Sequence, residues 1–235
     1  MKKILALSLA VLLLLGAIAP AAVAEETSEL QPVLTQPDTI ANIFPDPGLA
    51  QAVADRLGAP VEATVTQFDL DHPLMFHAPN REIQSLQGVQ FLRNLVSVNL
   101  SNNQISDLRP LAGLTDLRSL GLGFNQIADI SVVSGMQHLW TLGLENNRIA
   151  DLTPLSKLPA LDTLFLANNR IADVSALSGL TGLNLLHLSR NLITDVEPLA
   201  KLKALYTLAI YENEEITLEQ IAELQQALPD CKIDF

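Results

Sequence analysis

The sequence contains a single cysteine, Cys231, so no disulfide bond can form within the chain. In an oxidising compartment the fold must therefore be held together by packing alone. Cys231 stands near the C-terminus, and no histidine is close to it in sequence. This setting favours a buried structural thiol over a catalytic nucleophile.

Aromatic residues are also scarce, at 4% of the chain, although 49% of the residues are hydrophobic. The core must therefore be built from leucine, isoleucine, valine and alanine. The length of 235 residues suffices for one good-sized domain or two small ones. A leucine content this high is typical of repeat folds, so a fixed period is the pattern to look for.

Basic residues are few, since 14 Lys and Arg face 26 Asp and Glu and give a formal net charge of −12. A strongly acidic surface repels phosphate backbones and anionic lipids, which argues against nucleic acid as a partner. We favour the interpretation that the negative charge keeps an exported protein soluble. Steering of a basic ligand is the alternative interpretation.

Only one long apolar run is present, at residues 4–19, directly after Lys2 and Lys3. Small residues at Ala22 and Ala24 follow it, in the pattern of a signal-peptidase site. We predict a cleaved signal peptide at 1–24, with an uncleaved membrane anchor as the alternative. No second run and no anchor tail follow, so the mature chain should lack a membrane span and be secreted, periplasmic or on the cell surface.

One pattern of 22 residues recurs along most of the chain. Leucines at this spacing are Leu95, Leu117, Leu139, Leu161, Leu183 and Leu205, and asparagines are Asn103, Asn125, Asn147, Asn169, Asn191 and Asn213. A degenerate unit precedes them, with Phe76, Ile83, Leu86, Val89 and Leu92 in register but Arg81 in place of asparagine. Six registers of one unit are a strong signal of a repeat architecture.

The spacing within each unit predicts its structure. Alternate leucines in L-x-L-x-x-N have the period of a β-strand, and stacked strands form a parallel sheet. About a dozen residues remain for the return path, and Pro110, Pro154 and Pro198 lie within it. This favours short 3₁₀ turns over full helices. We predict a leucine-rich repeat solenoid of the α/β class, with a parallel sheet on the concave side, 3₁₀ turns on the convex side and helical caps at both ends.

Two polar columns accompany the leucines, and both are interpreted as structural. The asparagine amides can satisfy backbone groups inside each turn, which we favour over a binding stripe. The second column is Asp107, Asp129, Asp151, Asp173 and Asp195. Each of these carboxylates precedes a convex turn and can cap its free N–H groups. A calcium site is disfavoured, because one carboxylate per coil does not supply six to eight converging oxygens.

The ends of the stack need polar lids. At the N-terminal end, Asp46 and Pro47 should begin a helix that ends at Gly58, and Thr66 should begin a second turn. At the C-terminal end, Thr217 and Gln220 form a capping box. The residues of that last helix predicted to face the final coil are Leu218, Ile221, Leu224 and Leu228. "CKIDF" should follow as a strand at the sheet edge.

These features divide the chain into five segments. We predict a signal peptide at 1–24, a flexible linker at 25–41, a helical N-terminal cap at 42–72, repeats at 73–214 and a helix-strand cap at 215–235.

The stretch "NIFPDPGLAQAVADRLG…VTQFDL…REIQSLQGVQFLRNLVSVNLSNNQISDLRPL" resembles the cap and first repeats of the bacterial internalin family. The 22-residue unit is that family's hallmark, and leucine-rich regulatory subunits of protein phosphatases share it. The resemblance covers roughly residues 42–235 and implies a binding scaffold that is not an enzyme. The immunoglobulin-like domain and surface anchor of some members have no counterpart here, so a role in host invasion is not carried over.

Outward-facing strand positions are the predicted contact surface for a partner. Most carry small polar residues or glycine, but Phe165, His187 and Tyr211 bring rings to neighbouring coils. Exposed aromatic residues on a rigid sheet are typical binding hot spots. We predict that a protein partner contacts Phe165, His187, Tyr211, Trp140, Glu145 and Arg190. Scattered surface aromatics without a role are the alternative interpretation.

No catalytic, metal or cofactor site is predicted. The four histidines are His72, His77, His138 and His187, and only His187 falls on the concave face. A proton relay of His187 with Glu145 and Ser189 is the one arrangement that chemistry could use, and solvated sheet residues rarely serve this way. We therefore expect a monomeric, non-enzymatic protein-binding module. The alternatives are a regulatory subunit of an enzyme such as a phosphatase, and a carbohydrate- or envelope-binding protein.

Overall fold

The computed structural model describes residues 32–72 and 74–235, so the predicted signal peptide and residues 25–31 of the predicted linker lie outside the described residues. The N-terminal cap comprises β1 (Asp38–Thr39), α1 (Ile40–Ile43), α2 (Pro47–Leu57), β2 (Thr64–Val65) and α3 (Gln67–Leu70). β1 pairs antiparallel with β2. No helix within 32–72 and 74–235 is long and apolar enough to cross a bilayer.

Eight short strands form one parallel sheet in chain order. They are β3 (Met75–His77), β4 (Ser97–Asn99), β5 (Ser119–Gly121), β6 (Thr141–Gly143), β7 (Thr163–Phe165), β8 (Leu185–His187), β9 (Thr207–Ala209) and β10 (Lys232–Asp234). From β3 to β9 each residue pairs with the residue 22 positions later, as Leu142 pairs with Leu164. The predicted parallel solenoid is confirmed.

The return path of each coil is a single 3₁₀ turn, as predicted from the prolines. These turns span Val89–Phe91, Arg109–Leu111, Ser131–Gly135, Thr153–Lys157, Ser175–Gly179 and Glu197–Lys201. The core between sheet and turns is aliphatic, with Leu164, Leu166, Ile171 and Leu177 all fully buried in one coil. Repetition of this layer gives one continuous core that no coil could build alone.

The aspartate column caps these turns. Asp151 Oδ1 accepts the backbone N–H of Thr153 at 2.8 Å, and Asp173 accepts that of Ser175 at 2.8 Å. The bonded N–H lies two residues after the carboxylate, so each Asp stands one position before the formal N-cap. These hydrogen bonds to backbone and side chain lower the pKa of Asp173 from its ordinary value. The predicted capping role is confirmed with this shift of one position.

The asparagine column connects neighbouring coils through the backbone. Asn169 Oδ1 accepts the N–H of Ile149 at 3.0 Å, and its Nδ2 donates to the carbonyls of Leu144 and Leu166 at 2.9 and 3.0 Å. Asn147 and Asn191 make the same contacts one coil earlier and one coil later. The predicted amide ladder is confirmed, because each amide satisfies backbone groups that the turn leaves without partners.

The N-terminal cap starts earlier than the predicted boundary at residue 42. Ile40 is fully buried, and its N–H donates to the carbonyl of Ala63 at 3.1 Å. Asp46 caps α2 through Leu49 N–H at 3.0 Å, as predicted. Its second oxygen accepts the N–H groups of Gln84 and Ser85, which ties the cap to the first coil. Residues 38–41 therefore belong to the cap rather than to a flexible linker, because the small sheet and α1 need them.

An ion pair at the junction of cap and repeats gives a pH-dependent prediction. Arg93 Nε donates to Asp71 Oδ1 at 3.0 Å, and the two side chains are 27% and 24% exposed. The guanidinium lowers the pKa of Asp71 below its ordinary value. A carboxylate with a lowered folded pKa stabilises the protein above its unfolded pKa, and that contribution is lost as the pH falls through the folded value.

We therefore expect Asp71→Asn to lower the free energy of unfolding by about 1–2 kcal/mol at pH 7, between the values for exposed and buried pairs. The difference from the wild type should shrink below about pH 4, where Asp71 begins to be protonated in the unfolded wild-type chain. Urea unfolding at pH 7 and pH 3 measures both quantities. A deficit of equal size at both values would show that the charge of Asp71 is not what matters.

The C-terminal cap consists of α4 (Leu218–Ala227) and β10, and Thr217 with Gln220 forms the predicted capping box. Ile221, Leu224 and Leu228 are buried as predicted, but Leu218 is 76% exposed, so its prediction was wrong. At 100° per residue Leu218 lies roughly 60° from Ile221 and 120° from Leu224, off the packed stripe. Cys231 is a buried thiol, and burial raises its pKa.

Candidate binding face

The sheet turns one side of every strand towards solvent and the other into the core. In β7, for example, Leu164 is buried while Thr163 and Phe165 are half-exposed. The residue two positions after each strand, such as Ala167, continues the outward side. Three columns thus cross the face: Ser97, Ser119, Thr141, Thr163, Leu185 and Thr207; Asn99, Gly121, Gly143, Phe165, His187 and Ala209; and Ser101, Gly123, Glu145, Ala167, Ser189 and Tyr211.

Three of the six predicted contact residues lie together, and we call Phe165, His187 and Tyr211 the aromatic row. Phe165 pairs directly with His187 in the sheet register. The ring centroids of Phe165 and His187 are 6.4 Å apart, and those of His187 and Tyr211 are 6.0 Å apart. Edge-to-face and tilted contacts at this distance hold the rings in a fixed arrangement. They form a half-exposed surface on the C-terminal half of the sheet.

The opposite half of the face carries small polar side chains and three glycines, and we call Gly121, Gly123 and Gly143 the glycine patch. Gly121 pairs with Gly143 in the register of β5 and β6. The predicted contact residue Glu145 lies over this patch. A Cβ atom built on Gly123 would be only 2.2 Å from Glu145 Oε1, so the carboxylate occupies the space that a side chain would fill. The absence of side chains on these glycines lets the carboxylate lie close to the sheet backbone.

Trp140 and Arg190 lie at opposite margins of the sheet and do not join the aromatic row. Trp140 precedes β6 and is 60% exposed. Arg190 follows β8, and its guanidinium makes two hydrogen bonds to Glu212 on the next coil, at 2.9 and 3.1 Å. Tyr206, at the same margin as Trp140, is 73% exposed and was not identified from the sequence. The face therefore has an aromatic centre and separate aromatic and charged margins.

Three polar atoms of the face are enclosed without a hydrogen-bond partner: Glu145 Oε2, His187 Nε2 and Ser189 Oγ. Ser189 is fully buried. No hydrogen bond among the described residues joins any two of these side chains, so the proton relay considered from the sequence is not formed. No group of three or more His, Cys, Asp or Glu within 32–72 and 74–235 is placed to hold a metal ion.

A strained column borders the face, and sequence reasoning missed it. The third residue after each strand from β3 to β9 has a positive φ of 55–59°. These residues are Asn80, Asn102, Phe124, Asn146, Asn168, Arg190 and Glu212. Asparagine adopts this left-handed conformation readily, whereas a bulky side chain is strained in it. Phe124, which is about half exposed, therefore departs from its column at a cost of about 1–2 kcal/mol. The signal in the sequence was a phenylalanine in a column otherwise rich in asparagine.

Comparison with known protein families assigns both parts of the chain. Residues 22–71 match the N-terminal region of bacterial adhesion/invasion proteins. Residues 93–135 and 137–179 match leucine-rich repeats.

Among relatives, internalin C and internalin H of Listeria monocytogenes are 43% and 41% identical to this chain over 70 residues. Those alignments cover 29% of this chain but only 24% and 13% of the two relatives. The chain thus matches about a quarter and about an eighth of their lengths.

Solved structures extend the likeness to most of the chain. An internalin of Listeria monocytogenes, InlF, superposes with a TM-score of 0.80 at 34% identity, covering 86% of this chain and 59% of that one. Internalin C2 of the same species superposes with a TM-score of 0.80 at 37% identity, covering 86% of this chain and 88% of its own. The similarity spans cap and repeats together, and the chain belongs to the internalin family of bacterial leucine-rich repeat proteins.

Proposed function

We propose that the chain is an exported, monomeric and non-enzymatic scaffold that binds a protein partner through the concave face of its sheet. The aromatic row carries this proposal. In a chain with only 4% aromatic residues, Phe165 and Tyr211 stand with His187 on adjacent coils of one rigid surface. Large rings that are already fixed lose little conformational freedom on binding, and such residues dominate interface energies.

Three further observations support the same face. The glycine patch adds no side chain of its own beside the aromatic row and leaves room for the carboxylate of Glu145. Glu145 and His187 are half-buried polar side chains of this face, which gives a bound protein polar groups to contact besides the rings. Phe124 is kept in a strained conformation at the margin, and strain of this kind clusters at functional sites. The family's N-terminal region is described as that of adhesion and invasion proteins, which accords with a binding role.

Export rests on the sequence of residues 1–24, where two lysines precede an apolar run and a small-residue site. An exported protein does not meet a cytosolic phosphatase, which argues against the regulatory-subunit alternative. The margin aromatics Trp140 and Tyr206 favour a carbohydrate as the second candidate ligand. Asp162 and Asn184 lie between them in the same column and are hydrogen-bonded to each other.

The double variant Phe165→Ala, Tyr211→Ala tests the proposal. Peptides are first selected from a displayed random-peptide library on the immobilised wild-type chain. We expect the double variant to bind them about tenfold more weakly or worse, since removal of hot-spot rings has this effect. Its free energy of unfolding should stay within about 1 kcal/mol of the wild type, as for most surface changes.

Tyr206→Ala is the matched control, because it removes an exposed tyrosine from the same coil as Tyr211 but outside the aromatic row. Binding should be retained in this variant. Full retention of binding in the double variant would refute the proposed face, and dependence on Tyr206 instead would move the site to the sheet margin.

A further inference from the structure

The carboxylate of Glu145 has no counter-charge on its own surface. Across the three outward columns from β4 to β9, Glu145 is the one acidic residue, and none of the other positions is lysine or arginine. No ion pair or hydrogen bond to either carboxylate oxygen is formed within the described residues. The remaining columns are small, polar or aromatic, so the charge stands alone on the face.

The position of this carboxylate is set by the glycine patch. The virtual Cβ positions of Gly123 and Gly143 lie 2.2 Å from Oε1 and 3.3 Å from Oε2, so the group lies flat against the bare backbone. Oε2 is closed off from solvent there and receives no hydrogen bond. An ionised oxygen that is withdrawn from water without a donor costs free energy. Oε1 is not enclosed in this way, and it is the oxygen to which another molecule can bring a donor.

We infer that Glu145 is the recognition site for a basic side chain, arginine or lysine, of the protein partner. This inference rests on the proposed function and adds the chemistry of the bound segment. A cationic group brings both the missing donors and the missing counter-charge. The formal net charge of −12 attracts a basic partner over a longer distance, which raises the rate of encounter.

The neighbours of Glu145 say what accompanies the basic residue. Phe165 on β7 pairs with Gly143 on β6, so it stands beside the glycine patch. On the other side, the backbone N–H of Phe124 donates to the carbonyl of Glu145 at 2.8 Å. Phe165 stands on the next coil of the same face, where its ring gives the residue adjoining the basic one an apolar contact. The bound segment therefore carries a basic residue close to an apolar one.

Two variants separate the charge from its position. Glu145→Gln removes the charge and keeps the size of the side chain. Gly123→Ala keeps the charge but displaces the carboxylate, because the new Cβ would overlap its atoms; Gly123 does not have a positive φ, so alanine fits the backbone. Glu223→Gln on α4 is the control, since it removes one exposed negative charge away from the sheet.

The test is selection from the same random-peptide library on the wild type and on each variant. We expect wild-type selections to be enriched in arginine or lysine next to an apolar residue, and this enrichment to vanish with Glu145→Gln. Peptides selected on the wild type should bind Glu145→Gln and Gly123→Ala about tenfold more weakly, and Glu223→Gln unchanged. Raising the salt concentration should weaken wild-type binding more than binding to Glu145→Gln, because the variant keeps only the attraction of the overall charge.

The outcomes distinguish this inference from the proposed function. Selected peptides that depend on Phe165 and Tyr211 but show no basic enrichment would overturn the role of Glu145 alone. If Glu223→Gln lost as much binding as Glu145→Gln, the loss would come from the overall charge, and the recognition site at Glu145 would be overturned. Failure of the wild type to select any peptide that depends on the aromatic row would instead count against the proposed function.

Discussion

Replacement of Gly88 by alanine should lower the free energy of unfolding by about 4 kcal/mol, as expected when strain and overlap with backbone atoms coincide. Gly88 has a φ of +100°, which side chains adopt at a cost. A Cβ at this position would also lie 2.3 Å from the carbonyl oxygen of Ile43 and 2.7 Å from the ring of Phe44. Since α1 rests on the first coil at this point, relief of the overlap must move the cap away from the repeats.

Gly58→Ala is the matched control for this prediction. Gly58 ends α2 with a φ of +65°, and nothing lies within 4 Å of its virtual Cβ. That variant has the backbone strain without the overlap and should cost about 1 kcal/mol. Urea unfolding followed by circular dichroism measures both variants. Equal losses would mean that the cap does not press on Gly88.

Gly88 illustrates what could not be predicted from the sequence. Its role depends on how α1 packs against the first coil, and no periodic pattern in residues 38–92 encodes that contact. For the same reason Asp46 was predicted as a helix cap, but its bonds to Gln84 and Ser85 were not. The cap boundary was placed too late because the stretch 25–40 is mostly polar and contains prolines, although Ile40 at its end is fully buried.

The repeats were predictable because every coil is in nearly the same environment. A period of 22 fixes the sheet register, and the register then fixes which residues face the core, the turn and the solvent. The aspartate and asparagine columns follow from unsatisfied backbone groups at fixed positions, which any stack of such coils must satisfy. The prediction for Leu218 was wrong because Leu218 lies at the start of α4, off the stripe that packs on the last coil. The 22-residue pattern no longer applies there.

The shared face of the aromatic row was predictable from the sequence, but its geometry and the margins of the face were not. Position in the repeat placed Phe165, His187 and Tyr211 on one face, and the ring distances now show their contact. The strained conformation of Phe124 was not recognised, because a positive φ is a property of the turn rather than of that residue type. The orientation of Glu145 depends on the space left by Gly123, and only the three-dimensional structure shows this space.

Replacement of Asn191 by alanine should lower the free energy of unfolding by about 3 kcal/mol, because a buried backbone donor loses its partner and two more hydrogen bonds are lost. Asn191 is buried, accepts the N–H of Ile171 at 3.0 Å and donates to the carbonyls of Leu166 and Leu188 at 3.0 and 2.9 Å. Water cannot reach Ile171 N–H in the variant without opening the stack between two coils.

A pair of comparison variants makes this prediction specific to the ladder. Asn169→Ala, at a less buried position with the same contacts, should cost about 2 kcal/mol, since water can partly replace the amide there. Asn184→Ala removes an exposed asparagine that bonds to the side chain of Asp162, and its effect should stay below about 1 kcal/mol. Urea unfolding of the three variants gives the order. If Asn191→Ala is no more damaging than Asn184→Ala, the amide ladder does not hold the coils together, and their stability comes from the aliphatic core alone.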